Sequence, residues 1–398
     1  MFKDFSKGTS AFLITVIQVS DGSFGKFDVI TPFPFNSSIF KVLNNSVLIG
    51  GYYNSRPLVL HFDLSSKQSK IIPGFFNDPG EITQILTHPD GAFEVLISSK
   101  NKDRKKAVWI RRYSNEGDLL STTILHPKDN LNFIYGVSSR LSDGTQIVSG
   151  MYGRNKEYSR GVFISKILDE DTHETSYYSF ADLNRFFNYM KAKKEARIKG
   201  RIARRKVKGK KVRLSYKLMI HDLIPDKDQY ILVGEAYYPH YTTYTGSTQF
   251  ISTTYVPGSR MVFDGYIYTH AVVIGISKNG KLLWDNSFEI NDIKTFNLQQ
   301  YVNIKPEKDK VFLFYIHNNI IRTKIIQNQD IIENKSYEAI KLKYPEDQIV
   351  TQISELNKLD HWHGEYFYAY GVQQVQNLSE ANVDIVRKVF FINKITYK

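Results

Sequence analysis

The chain has 398 residues, 42% hydrophobic and 14% aromatic, which excludes a disordered or low-complexity protein and allows a large core. It contains no cysteine, so disulfides, thiolate metal sites and a cysteine nucleophile are excluded, and no run reaches the ~18 apolar residues of a membrane-spanning helix. The formal net charge of +13 is local: residues 191–217 hold fourteen Lys or Arg against one acid, Glu195, and the remainder sums to zero.

Tyr and Phe number 26 each and, with frequent Ile, Val and Thr, they favour strands. At the amino end, Lys3 and Lys7 precede an apolar run at 11–19, a weak imitation of a signal peptide. No small-residue cleavage site follows, and the run passes into Asp21-Gly22 and a second alternating segment. That is how a β-hairpin reads. An export signal, if the protein uses one, is expected to be absent from this sequence.

Five acid- or amide-glycine pairs mark hairpin turns between alternating runs: Asp21-Gly22, Asp90-Gly91, Glu116-Gly117, Asp143-Gly144 and Asn279-Gly280. A longer motif also recurs. Leu48-Ile49-Gly50-Gly51-Tyr52-Tyr53 resembles Val148-Ser149-Gly150-Met151-Tyr152 and Leu232-Val233-Gly234-Glu235-Ala236-Tyr237, with Tyr370-Gly371-Val372 a weaker copy. Each copy follows one apolar strand and precedes another, and a fourth strand often follows. Four short strands recurring every ~40–50 residues are the signature of a propeller blade. The predicted units are 37–72, 82–125, 133–180, 218–290, 297–340 and 348–396. Residues 11–32 supply two more strands, which either complete the last unit and close the ring, giving six blades, or pair with an upstream half-blade expected to be missing from this sequence, giving seven. The whole chain, 1–398, is therefore expected to be one all-β propeller domain of six or seven four-stranded blades, with a pair of β-sandwiches as the competing architecture.

Two insertions interrupt the repeat. In 179–217, Ser179 and Asp182 fit a capping box, and Leu183, Phe186, Phe187 and Met190 lie on one face of a predicted helix that Ile198 and Ile202 extend. The second, 241–262, is rich in Thr, Ser and Tyr, contains Pro257-Gly258, and reads as a loop.

The basic insertion is the leading functional candidate. Lys193, Lys194, Arg197, Arg201, Arg204, Arg205, Lys206, Lys208, Lys210 and Lys211 repel one another unless they face water or an acidic partner. Aromatics are not interleaved with them, which disfavours nucleic acid and leaves an anionic protein or lipid surface. Tyr241, Tyr244 and Tyr255 in the second insertion would add contact area. His361-Trp362-His363 offers two imidazoles, but no nearby pattern completes a metal site, and His240 and His270 merely flank the second insertion. Asp90, Asp143 and Asp264 each precede Gly and are explained by turn chemistry. No nucleophile elbow or phosphate loop is present, so no catalytic residue, cofactor or metal is assigned.

Two stretches carry a resemblance. Ile231-Leu232-Val233-Gly234-Glu235-Ala236-Tyr237-Tyr238-Pro239-His240-Tyr241 and the run from Phe263 through His270 to Trp284-Asp285-Asn286-Ser287-Phe288-Glu289-Ile290 resemble uncharacterised exported proteins of Bacteroidota. Among these the chain is similar to the plug subunit that closes the periplasmic mouth of the type nine secretion translocon. The resemblance covers about 60 residues and implies a periplasmic, non-enzymatic protein that occludes or gates an outer-membrane pore. The expected function is thus a non-catalytic, protein-binding propeller. The alternative is a hydrolase, lyase or carbohydrate-binding propeller with a central pocket.

Overall fold

The computed structural model describes residues 3–396 apart from 5–8, 19, 74–78, 141–143, 155–156, 171, 228, 252–253, 329, 341, 343, 345, 353–357 and 380–383. Within these, seven antiparallel sheets follow one another along the chain. The first holds Lys3–Asp4, Ser10–Ile17 and Phe24–Thr31. Residues 36–71, 80–125, 132–179 and 303–339 each form a four-stranded meander whose spatial order follows the chain. The sheet of 217–295 keeps this plan with two long central strands, Gln229–Ile251 and Thr254–Ser277. In the last sheet, Gln348–Gln352 and Lys358–His363 both pair with one edge of Tyr366–Gln376, and Val386–Thr396 takes the other edge. The protein is all-β, and its repeated four-stranded meanders are the blades of a β-propeller. Residues 11–32 belong to a sheet of their own, a seventh, built on Ser10–Ile17 and Phe24–Thr31.

The repeated glycine of the second strand has a steric cause. The first strand bulges between Ser37 and Ile39 in one sheet and between Phe133 and Tyr135 in another. A Cβ at each copy would collide with a neighbour: one on Gly150 would lie 1.9 Å from the Tyr135 oxygen, and those on Gly50 and Gly234 would lie 2.9 Å from the Ile85 and Ile220 side chains. The turn glycines Gly22, Gly91, Gly117, Gly144 and Gly280 all adopt positive φ, between 72° and 85°, which glycine adopts without Cβ strain. Asp143 lies outside the described residues.

Contacts divide the chain into two compact units. One comprises residues 1–180 with 222–225 and 278–281. Its sheets are cemented by successive apolar clusters, among them Phe12, Val29, Phe35 and Leu60, then Leu48, Ile85, Phe93 and Tyr113, then Val108, Phe133 and Phe163. The other comprises 181–221, 226–277 and 282–398, with Phe312, Phe314, Ile316, Leu359 and Phe367 in one of its cores.

Both insertions depart from their predicted form. The α-helix, α1, is Ala192–Val207, and Lys191 at its start makes no side-chain cap. Residues 181–190 form turns instead, with i to i+3 backbone bonds from Asn188 to Arg185 and from Met190 to Phe187. The buried carboxylate of Asp285 explains this, because it accepts the amides of Asn184 (2.8 Å) and Arg185 (2.7 Å). The expected loop at 241–262 is paired strand: the register runs from Gln229↔Ser277 to Ile251↔Thr254 with three bulges. Pro257 and Gly258 sit within that ladder, opposite Thr248 and Ser247.

Candidate basic and aromatic docking surface

On α1, Lys193, Lys194, Arg197, Arg201, Arg204 and Arg205 are all exposed. At ~100° per residue they occupy an arc of about 120°. Ile202, 7% exposed, lies on the opposite side with Glu195, Lys199 and Lys206. These last three are paired: Lys199 with Glu195 at 2.6 Å, and Lys206 with Asp182 at 2.7 Å. The acid in the first turn and the cations in the last suit the helix dipole. Lys208, Lys210 and Lys211 follow α1 and are exposed as well. Two sorts of lysine and arginine are thus separated: those that fasten the helix, and an arc facing water.

The turns before α1 supply its foundation. Leu183, Phe186 and Phe187 are buried. Phe186 meets Phe187 at 5.1 Å and Tyr216 at 5.0 Å, and Tyr189 stacks on His270 at 3.7 Å with the rings 6° apart. His270 is fully buried. Its Nδ1 meets the Thr269 hydroxyl at 2.9 Å, and desolvation pushes its pKa down to about 3, so the ring is neutral. Burial also pushes the Tyr189 and Tyr216 hydroxyls up. His270 therefore has a packing role in this unit, holding the insertion to Thr254–Ser277.

Midway along the long hairpin, aromatic side chains form an exposed strip. Tyr241 (49% exposed) contacts Phe263 (37%), which contacts Tyr266 and Phe296 (57%) at 5.0 and 6.2 Å. Asp264 braces the strip: its carboxylate accepts bonds from Lys294 and Thr242, both at 2.6 Å, and meets His240 at 3.2 Å. These bonds, Lys294 first, hold its pKa down at about 2. Tyr241 is thus placed at a surface. The side chains of Tyr244 and Tyr255 lie outside the described part, although both residues pair in the hairpin ladder. Phe263 and Phe296 went unassigned in the sequence, and alternation across Tyr241↔Phe263 was the signal that could have found the first.

The remaining candidates have local roles. A bulge separates His361 from His363, and His361 Nε2 lies 3.1 Å from Lys305 Nζ. Asp90 accepts the Ala92 amide and pairs with Arg112 at 2.9 Å. Among the described residues, no cluster of three His, Asp or Glu could hold a metal. Two fully buried glutamates carried no sequence signal. Glu94 receives Arg140 at 2.5 Å and Gln146 at 2.8 Å; burial opposes its charge, but His88 and Arg140 outweigh this and lower its pKa. Glu235 receives His221 Nε2 at 2.7 Å and the amides of Tyr301 (2.9 Å) and Val302 (2.8 Å).

No protein-family model and no curated protein matches the chain. Among solved structures it is similar to the β-propeller domain of the Trilobed protease from Pyrococcus furiosus, at 10% identity and TM-score 0.37, over 99% of this chain and 95% of that one. It is similar to the Dos1 propeller at 12% identity and TM-score 0.46, over 94% and 80%. It is also similar to prolyl endopeptidases at 10% identity and TM-score 0.42, where the chain is covered in full but spans only 50% of theirs.

Proposed function

We propose that this protein is a non-catalytic propeller that binds another protein, docking an anionic surface of its partner on α1. The observation that carries the reading is the arc of six exposed cations, set apart from the lysines that pair with Glu195 and Asp182. Such an arc raises the local concentration of an acidic partner and orients it, while exposed Tyr241, Phe263 and Phe296 supply contact area. In the form suggested by the resemblance to exported Bacteroidota proteins, the partner is an outer-membrane translocon, and the chain is a periplasmic subunit that occludes or gates its secretion pore. No described helix is long and apolar enough to cross a membrane.

The test is substitution rather than deletion, because removing 181–217 would also take Leu183, Phe186 and Phe187 from the core. Changing Lys193, Lys194, Arg197, Arg201, Arg204 and Arg205 together to Gln should abolish capture of a partner that the parent protein holds at low salt. The same partner should leave the parent at about 1 M salt, where screening reaches ~3 Å. Identical partners on both proteins, retained in high salt, would refute the dock.

A further inference from the structure

A polar cavity of about 360 Å³ opens in the second unit, within the ~300–1,000 Å³ usual for small-molecule sites. Three successive sheets contribute to it. His221 follows Lys217–Ile220, Asn303 begins Asn303–Glu307, and Lys358 and Asp360 come from Lys358–His363.

The polar groups there have unequal commitments. His221 Nε2 lies 2.7 Å from Glu235, which is itself fixed by two backbone amides; in the neutral tautomer that donates this hydrogen, Nδ1 is an acceptor. Asn303 and Gln300 donate their side-chain N–H groups to the carbonyls of Leu359 and Ile220, which leaves both side-chain carbonyl oxygens available as acceptors. Asp360 accepts one bond, from the Tyr370 hydroxyl at 3.0 Å, and retains its other oxygen. Lys358 has no ion pair or side-chain hydrogen bond among the described residues. Strand alternation puts it on the same side as Asp360, about 7 Å along the strand. The lining therefore holds one cation, one carboxylate beside it on the same strand, and several neutral acceptors around a space of small-molecule size.

We infer that this cavity binds a small zwitterion of amino-acid or dipeptide size, its carboxylate on Lys358 and its ammonium among Asp360, His221 Nδ1 and the Asn303 carbonyl oxygen. An ammonium has three donors and no acceptor, which matches an acceptor-rich pole. The carboxylate needs a cation that no described acid already holds, and Lys358 meets that need. The site is separate from the docking arc on α1 and does not depend on it.

Glycylglycine tests this, with Ile304 and Ile316, which line the cavity, as isotope-labelled methyl reporters. The dipeptide should shift both methyls saturably, with a dissociation constant of roughly 1 mM or tighter. N-acetylglycylglycine, lacking the ammonium, and glycylglycinamide, lacking the carboxylate, should each bind at least tenfold more weakly. Lys358→Gln should weaken glycylglycine at least tenfold and leave glycylglycinamide unchanged. Absence of a saturable shift, or equal binding of either blocked form, would overturn the inference without relying on any variant.

Discussion

Residues 181–190 and α1 are neighbours in the chain, and the structure uses them in opposite ways. The first stretch buries Leu183, Phe186 and Phe187 and closes over His270. The second buries Ile202 and turns six cations to water. One insertion thus contains its own foundation and its own exposed face. Stability and the proposed recognition are therefore separable by mutation, although the two parts adjoin.

The largest effect should come from the foundation. Phe186→Ala removes a ring packed against Phe187, Tyr216 and His270, and should cost about 3–5 kcal/mol in a urea unfolding titration. A loss below ~1 kcal/mol would mean that the stretch is a surface adornment, and the comparison would fail.

Asp285 gives a smaller and pH-dependent effect. Asp285→Asn replaces one of two amide acceptors with a donor and should cost about 1–3 kcal/mol at neutral pH. Burial raises the Asp285 pKa above 3.8, and the Asn184 and Arg185 amides offset only part of that. A carboxyl with a raised folded pKa stabilises most below its unfolded value and loses that contribution as pH rises through the folded one. The parent's margin over Asp285→Asn should therefore widen as pH falls from 7 and stop widening below about 3.8. A margin constant with pH would remove Asp285 as the titrating anchor of these turns.

The same contrast explains what could be read from the sequence. Strand alternation, glycine turns and the recurring second-strand motif are local, and they located the sheets of 36–71, 80–125 and 132–179 to within two residues and that of 303–339 to within six. The spacing of Leu183, Phe186, Phe187 and Met190 identified residues that are buried, all but Met190, but their backbone is bent into turns by a carboxylate 100 residues away. Local patterning contains no trace of Asp285. Pro257 and Gly258 read as loop because both oppose strand structure, yet each occupies a rung of a long ladder. The cations were legible as a charge excess; their arc required knowing that the helix starts at Ala192. Glu235 stands 14 residues from His221, which lies just past the end of Lys217–Ile220, and two of the other donors come from Tyr301 and Val302, so that constellation exists only in three dimensions.

The smallest effect on stability should come from the exposed face. With the six arc cations changed to Gln, two contributions oppose each other. Mutual repulsion along α1 is relieved, while Arg204 and Arg205 no longer favour the negative end of the helix dipole, where each is worth about 0.3–1 kcal/mol. The net change in unfolding free energy should stay within about 1 kcal/mol. Its salt dependence is more informative than its size. If repulsion dominates, added salt should stabilise the parent and leave the six-fold variant nearly unmoved, since the two differ only in charges that ions can screen. A parent that weakens with salt would instead have its arc engaged by acids of its own chain, and α1 would then belong to the foundation with the turns before it.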